Sequence, residues 1–261
     1  MSRRATRTPM PSDAPTHAPG SFPTTRLSLV AAAGRGDPGQ RRAALELLAA
    51  AYWKPVYRYL RLRRGHPAPE AEDLTQEVLL RLVSSQDLSA YDPARARFRT
   101  WLRVVADGVS GHAREAGRRV KRGGRAVVLP LEFEDAEGEV RRLETAAPRG
   151  GDPDELFERE FVRELFGSSV EALRSRCETG GRQAAFAVFQ AYDLAEGERP
   201  TYAALAQRQG LTESQVTTQL AWARGQFRRL ALERLRELSS SESDFRQDAR
   251  RLFGGEDGTP R

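Results

Sequence analysis

The chain has 261 residues, with 42 Lys plus Arg against 36 Asp plus Glu and a formal net charge of +6 at pH 7. No apolar run approaches the ~20 residues that span a bilayer, and the basic N-terminus has no apolar segment, so we expect no signal peptide. Cys177 is the only cysteine, which excludes intrachain disulfides and thiolate metal clusters. The three histidines are scattered, and there is no Walker loop or GxGxxG motif. We therefore expect a cytoplasmic protein with no metal, no cofactor and no membrane insertion.

The charge is unevenly distributed along the chain. Residues 95–125 carry a net charge of +8, residues 131–160 carry −7, and residues 199–236 carry +5. All but two of the basic residues are arginine, whose planar fork binds phosphates bidentately. This pattern predicts two domains that face nucleic acid, joined by an acidic linker.

The hydrophobic periodicity is helical throughout and predicts an all-α fold of two small helical domains. Residues 1–25 hold five of the 15 prolines and are expected to be a disordered tail. Pro55 predicts a bend or a break in a long helix. The apolar run 126–129 is too short to imply a sheet. We predict helices over 27–33, 40–63, 70–83, 97–116, 154–177 and 182–195.

The sharpest local pattern lies between residues 200 and 230. Thr201 is placed to cap a short helix over 202–209, and Gly210 supplies the left-handed turn after it. Thr212 with Gln215 forms a capping box for the next helix. Such a pair of helices indicates a helix-turn-helix, with a polar recognition face at the start of the second helix. The alternative is an ordinary helical hairpin with a solvated face.

Two further patterns lie in the first half of the chain. Asp73, Gln76 and Glu77 share one polar helix face, which spacing alone would leave as a solvated surface. Downstream, Phe98 and Trp101 alternate with arginines, a pattern that suits single-stranded DNA because rings stack on bases and arginines follow the backbone. Taken alone, Trp101 fits a core position better than a stacking platform.

These residues resemble bacterial sigma factors of the extracytoplasmic-function (ECF) class. The sequences Glu72-Asp73-Leu74-Thr75-Gln76-Glu77-Val78, Tyr91-Asp92-Pro93 and Phe98-Arg99-Thr100-Trp101-Leu102 resemble sigma region 2. Residues 201–206, Gly210 and residues 216–229 resemble region 4. The resemblance implies a non-enzymatic subunit that binds the β′ and β subunits of core RNA polymerase and promoter DNA, and it leaves open an anti-sigma regulator.

The resemblance also implies a role for each candidate residue. Core polymerase would bind Asp73, Gln76 and Glu77. The −10 element would be opened and held by Phe98, Arg99, Trp101, Arg103, Asp107, His112, Arg118, Arg119 and Arg122. The −35 element would be contacted by Thr212, Glu213, Ser214, Gln215, Thr217, Thr218, Ala221, Arg224 and Arg228.

The expected organisation follows from the same comparison. Residues 26–122 would form the region 2 domain, 123–152 the acidic linker, 153–238 the region 4 domain and 239–261 a C-terminal extension. That extension holds one small amphipathic helix or a frayed tail. Asp107 and Gly108 depart from the Arg-Asn common in relatives, and Gly225 replaces a usual arginine.

Three functions are candidates for this chain, and they differ in what each requires. A sigma factor would need core polymerase to recognise a promoter, whereas a conventional helix-turn-helix regulator would bind its operator unaided. A nucleic-acid enzyme would need carboxylates or histidines clustered in a pocket, and the acidic residues cluster only in the expected linker.

Overall fold

The computed structural model describes residues 29–35, 37–83, 88, 91–116, 131–146, 152–195 and 197–254. Every regular element among them is an α-helix, which confirms the all-α prediction. The tail 1–25, the run 126–129 and the arginines at 118, 119 and 122 lie outside these residues. The helices are α1 Leu29–Arg35, α2 Pro38–Leu62, α3 Ala68–Val83, α4 Phe98–Ala116, α5 Phe133–Ala146, α6 Pro153–Thr179, α7 Gln183–Asp193, α8 Tyr202–Gln209, α9 Glu213–Leu238 and α10 Glu242–Phe253.

Helix α2 is the central helix of the N-terminal half. Asp37 caps it by accepting hydrogen bonds from the backbone of Gly39 and Gln40, and Pro38 occupies the first turn. The helix continues through Pro55 to Leu62, so of the predicted bend or break at Pro55 the break is wrong. Proline removes one N–H donor, and burial on nearly all sides of the 51–60 segment holds the helix together across that gap.

A large apolar core surrounds α2 and extends beyond the expected first domain. We call this cluster the N-terminal core; it contains Tyr52 and Leu60 from α2. Phe157, Phe161 and Leu165 of α6 also belong to it, and these residues repeat every four positions on one helix face. The core therefore does not end at the expected domain boundary of residue 153. Helix α6, with 27 residues and a length of ~40 Å, instead runs from this core into the next one.

The acidic segment differs from the expected linker because it contains a docked helix. Ala136 and Val140 of α5 are fully buried, and the ring of Phe133 lies 5.3 Å from that of Trp53. Glu137 accepts hydrogen bonds from Arg61 at 2.7 and 2.8 Å. Apolar residues at helical spacing thus pack on α2 while the acidic residues between them pair with its arginines. The high acidity of the segment concealed this weak amphipathic pattern.

The C-terminal half has a smaller core of its own. Leu173 and Cys177 of α6 pack there with Phe186 and Val188 of α7, and burial raises the pKa of the Cys177 thiol. Helices α8 and α9 complete the cluster through Leu205, Ala206, Val216, Leu220 and Ala223.

Candidate nucleic-acid interface

The segment over 201–238 folds locally as the sequence predicts. Thr201 accepts a hydrogen bond from the Ala204 backbone, and Gly210 follows α8 at φ +64° and ψ +33°. Thr212 and Gln215 exchange side-chain and backbone hydrogen bonds of 3.2 and 2.8 Å in the expected capping box. Val216 is completely buried in the angle between α8 and α9. The caps, the left-handed glycine and the helix bounds are confirmed.

The first two turns of α9 present a polar face to solvent. Thr212, Glu213, Ser214, Gln215, Thr217, Thr218 and Ala221 are all exposed. The hydroxyls of Thr217 and Thr218 donate to the carbonyls of Glu213 and Ser214, each at 3.0 Å, which leaves their methyl groups and oxygen lone pairs outward. The capping box already uses the side chains of Thr212 and Gln215. The side chains best placed to contact bases are therefore Glu213, Ser214, Thr217 and Thr218.

The two arginines expected at the −35 element already have partners within the chain. Arg224 forms a bidentate pair with Asp193 at 2.7 and 2.8 Å, and this pairing raises the pKa of Arg224. Arg228 donates to the carbonyls of Phe253 and Gly254, each at 3.3 Å, at the end of α10. Neither guanidinium projects freely toward a duplex.

Helix α3 packs its apolar face on the N-terminal core and leaves its polar face exposed. Asp73 and Glu77 are exposed and Gln76 is half-buried, while Leu74 and Val78 turn into the core. Glu77 pairs with Arg81 one turn away at 2.6 Å. The three residues assigned to polymerase thus form one contiguous acidic and amide surface.

Phe98 and Trp101 begin α4 and belong to an aromatic cluster. Phe98 is only 2% exposed and makes edge contacts with Tyr52 and Tyr91 at 5.3 and 5.4 Å. Trp101 is half-buried against Phe98 and Tyr91. Phe98 therefore contributes to the core in this conformation, while Trp101 keeps one exposed edge.

Arg99 and Arg103 of α4 are held by carboxylates. Arg99 is 6% exposed and donates to Asp248 at 2.5 Å and to Glu158 at 2.8 Å. Burial by itself would lower the pKa of Arg99, but its charged neighbours raise that pKa above its usual value. Arg103 donates to Asp154 at 2.7 Å and to Asp107 at 2.6 Å.

Asp107 organises the middle of α4. It accepts hydrogen bonds from Tyr59, Arg64 and Arg103 at 2.6 to 2.8 Å. Burial and the hydrogen bond to Asp107 raise the pKa of Tyr59 to about 12. Asp107 is therefore an anchor for neighbouring groups, and an acidic side chain there is unsuited to holding DNA directly.

The remaining −10 candidates form two groups. His112 is exposed on the outer face of α4, beside the exposed Val104 and Gly108. Arg118, Arg119 and Arg122 lie outside the described residues. Arg64 and Arg97 also donate to carboxylates near α4, Arg64 to Asp107 and Arg97 to Asp248. Neither was predicted from the sequence. Both stand in basic runs, and the positive charge around α4 was the signal for Arg97.

Comparison with known proteins gives one family. Residues 48–120, which cover the second part of α2 and all of α3 and α4, match the family model of sigma-70 region 2. No curated protein and no solved structure gives a significant match to the chain. Among the described helices, none is both long and apolar enough to cross a membrane.

The region 2 match supports an RNA polymerase sigma factor that acts in promoter recognition and transcription initiation, with core polymerase and promoter DNA as its partners. Proteins of this family are transcription initiation factors and not enzymes. The match covers the residues assigned to polymerase docking and most of those assigned to the −10 element.

Proposed function

We propose that this chain is a sigma factor of the ECF class, with a region 2 centred on α2 to α4 and a region 4 formed by α6 to α9. The observation that carries the proposal is the order of two surfaces on one chain. A region 2 match is followed by a pair of capped helices whose second member exposes a polar N-terminal face.

Core polymerase would dock on the α3 face. Asp73 and Glu77 are exposed acceptors on a helix whose opposite side is fixed in the N-terminal core, so the surface is rigid before binding. Rigid acceptors lose little entropy on complex formation. Helix α4 and the residues after it would bind the separated −10 strand, and Glu213, Ser214, Thr217 and Thr218 would enter the major groove of the −35 element.

The α3 face and the start of α9 are the two candidate surfaces most exposed in this conformation. An anti-sigma regulator that binds the free protein would therefore have to cover one of them. The alternative function, a helix-turn-helix regulator, relies on the same α9 face but gives α3 no role.

In vitro transcription distinguishes the two functions. Purified chain is added to core polymerase over a promoter library, and transcripts are sequenced. A sigma factor yields transcripts from a defined subset of promoters only when chain and core are both present. No chain-dependent transcript, together with operator binding by the free protein, would refute the proposal in favour of the regulator.

The docking surface has its own test. In the double variant Asp73→Lys and Glu77→Lys we expect the affinity for core polymerase to fall at least 100-fold with an unchanged circular dichroism spectrum. Glu171→Lys is the control, because Glu171 is also exposed but lies on α6 and pairs locally with Arg174. Equal core affinity for the double variant and the control would refute the assigned surface.

A further inference from the structure

Three carboxylates from the C-terminal half contact Arg99 and Arg103 of α4 and Arg97 just before it. Asp154 and Glu158 lie at the start of α6, and Asp248 lies on α10; we call these three residues the carboxylate clasp. Asp248 pairs with Arg99 at 2.5 Å and with Arg97 at 3.0 Å. Glu158 pairs with Arg99 at 2.8 Å, and Asp154 pairs with Arg103 at 2.7 Å.

The ion pair between Asp248 and Arg99 is the buried part of the clasp. The side chains of Asp248 and Arg99 are 1% and 7% exposed. The guanidinium of Arg99 also lies 4.2 Å above the ring of Phe161, and Arg251 closes the network by pairing with Glu158. No phosphate can reach Arg99 while Asp248 and Glu158 keep these positions.

Helix α10 contacts the second candidate DNA surface as well. Its last residues accept two hydrogen bonds from Arg228, and the ring of Phe253 lies 5.4 Å from the Arg228 guanidinium. A single 12-residue helix therefore occupies arginines assigned to both the −10 and the −35 elements.

We infer that the carboxylate clasp is an autoinhibitory contact, in which carboxylates of the free chain take the places of DNA phosphates on α4. The inference rests on the proposed function, because that function assigns the α4 arginines to DNA. An arginine fork accepts a carboxylate and a phosphate with the same bidentate geometry, so the two ligands compete for one site.

Helix α10, which carries Asp248 of the clasp, has few buried residues. In helix α10, Asp248 and Ala249 are buried, Phe245 and Leu252 pack partly buried on the N-terminal core, and Glu242 and Ser243 of the first turn are exposed. A helix with few buried apolar contacts detaches at lower free energy than the core beneath it. When α10 moves away, Asp248 leaves both Arg97 and Arg99. Promoter DNA then gains access to Arg97 and competes with Glu158 alone for Arg99.

The test uses full-length variants without core polymerase. Asp248→Asn keeps the size of the side chain and removes its charge, and Glu171→Gln removes the same charge from an exposed site on α6 as a control. Binding is measured with a fluorescein-labelled 20-nucleotide oligo(dT) at several salt concentrations. We expect Asp248→Asn to bind at least tenfold more tightly than wild type and with a steeper salt dependence, because more arginines reach phosphates.

Two results would overturn the clasp. One is an oligo(dT) affinity of Asp248→Asn within twofold of wild type and the Glu171→Gln control. The other result comes from a second measurement on wild type, used if Asp248→Asn does not fold. We expect the amides in 242–253 to exchange faster when core polymerase and promoter DNA are added. Unchanged protection of that helix would refute the inference.

Transcription separates this inference from the proposed function. If wild type supports chain-dependent transcription but neither readout of the clasp changes, the sigma assignment stands and the clasp is wrong. If transcription is absent while Asp248→Asn still gains oligo(dT) affinity, the clasp stands as a mask on a nucleic-acid surface and the sigma assignment fails.

Discussion

Arg58 offers the most direct test of how the N-terminal core is held together. Its side chain is 2% exposed and faces Glu139 of α5 and both Glu160 and Glu164 of α6. One buried cation therefore joins three helices. Substitution of Arg58 by Met keeps most of the aliphatic volume and removes the charge, so the change measures electrostatics more than packing.

The unfolding free energy lost in Arg58→Met depends on the buried carboxylates that lose their partner. Removing one partner of a buried ion pair costs about 3–5 kcal/mol, since the other charge stays buried without compensation. Glu160 is 1% exposed but keeps Arg163 at 3.2 Å and Arg159 at 3.7 Å, both on exposed side chains. These weaker partners offset part of the loss, so we expect about 3 kcal/mol for Arg58→Met.

The assay is urea denaturation followed by far-ultraviolet circular dichroism. The control Arg42→Met removes the same charge from an exposed pair with Glu46 and should cost less than about 1 kcal/mol. Adding Glu160→Gln to Arg58→Met should restore about 1 kcal/mol or more, because the uncompensated charge is then gone. A loss under about 1 kcal/mol for Arg58→Met would refute the reasoning that the buried pair couples the helices.

Three shorter predictions concern the other surfaces. Replacing Thr217 by Val should change the preference at one base pair by about 1–3 kcal/mol in a binding-site selection, whereas an equal loss at every sequence would make it a phosphate contact. Gly210→Ala should cost about 1–2 kcal/mol of unfolding free energy, because φ +64° is unfavourable for a side chain; an unchanged urea midpoint would contradict this. The hydrogen bond from Arg61 lowers the pKa of Glu137 below its usual 4.5, so its stabilisation is complete above pH ~4.5 and is lost as the pH falls through the lowered value. The protection factors of the α5 amides, which correct for the slower intrinsic exchange in acid, should therefore decrease at acid pH in wild type. Glu137→Gln should remove that pH dependence; parallel profiles would contradict the assignment.

Local structure was readable from the sequence where neighbouring residues decide it. Thr201, Gly210 and the Thr212 capping box act over three or four residues, so the caps and the turn were predicted at the positions the structure shows. The all-α class likewise follows from the apolar spacing. The sigma region 2 resemblance lay in short runs such as 72–78 and 98–102, inside the segment that the family model matches.

Tertiary structure decided what those elements contact. Arg99 and Asp248 are 149 residues apart, and no local pattern predicts that they share a buried ion pair. The acidic segment likewise reads as a solvated linker until Arg58 and Arg61 of α2 are placed beside Glu137 and Glu139. Charge along the chain predicted which segments would attract phosphate. The packing of α5, α6 and α10 on α2 and α4 places carboxylates of the same chain against those arginines. It does so because folding brings together opposite charges that are distant in the sequence.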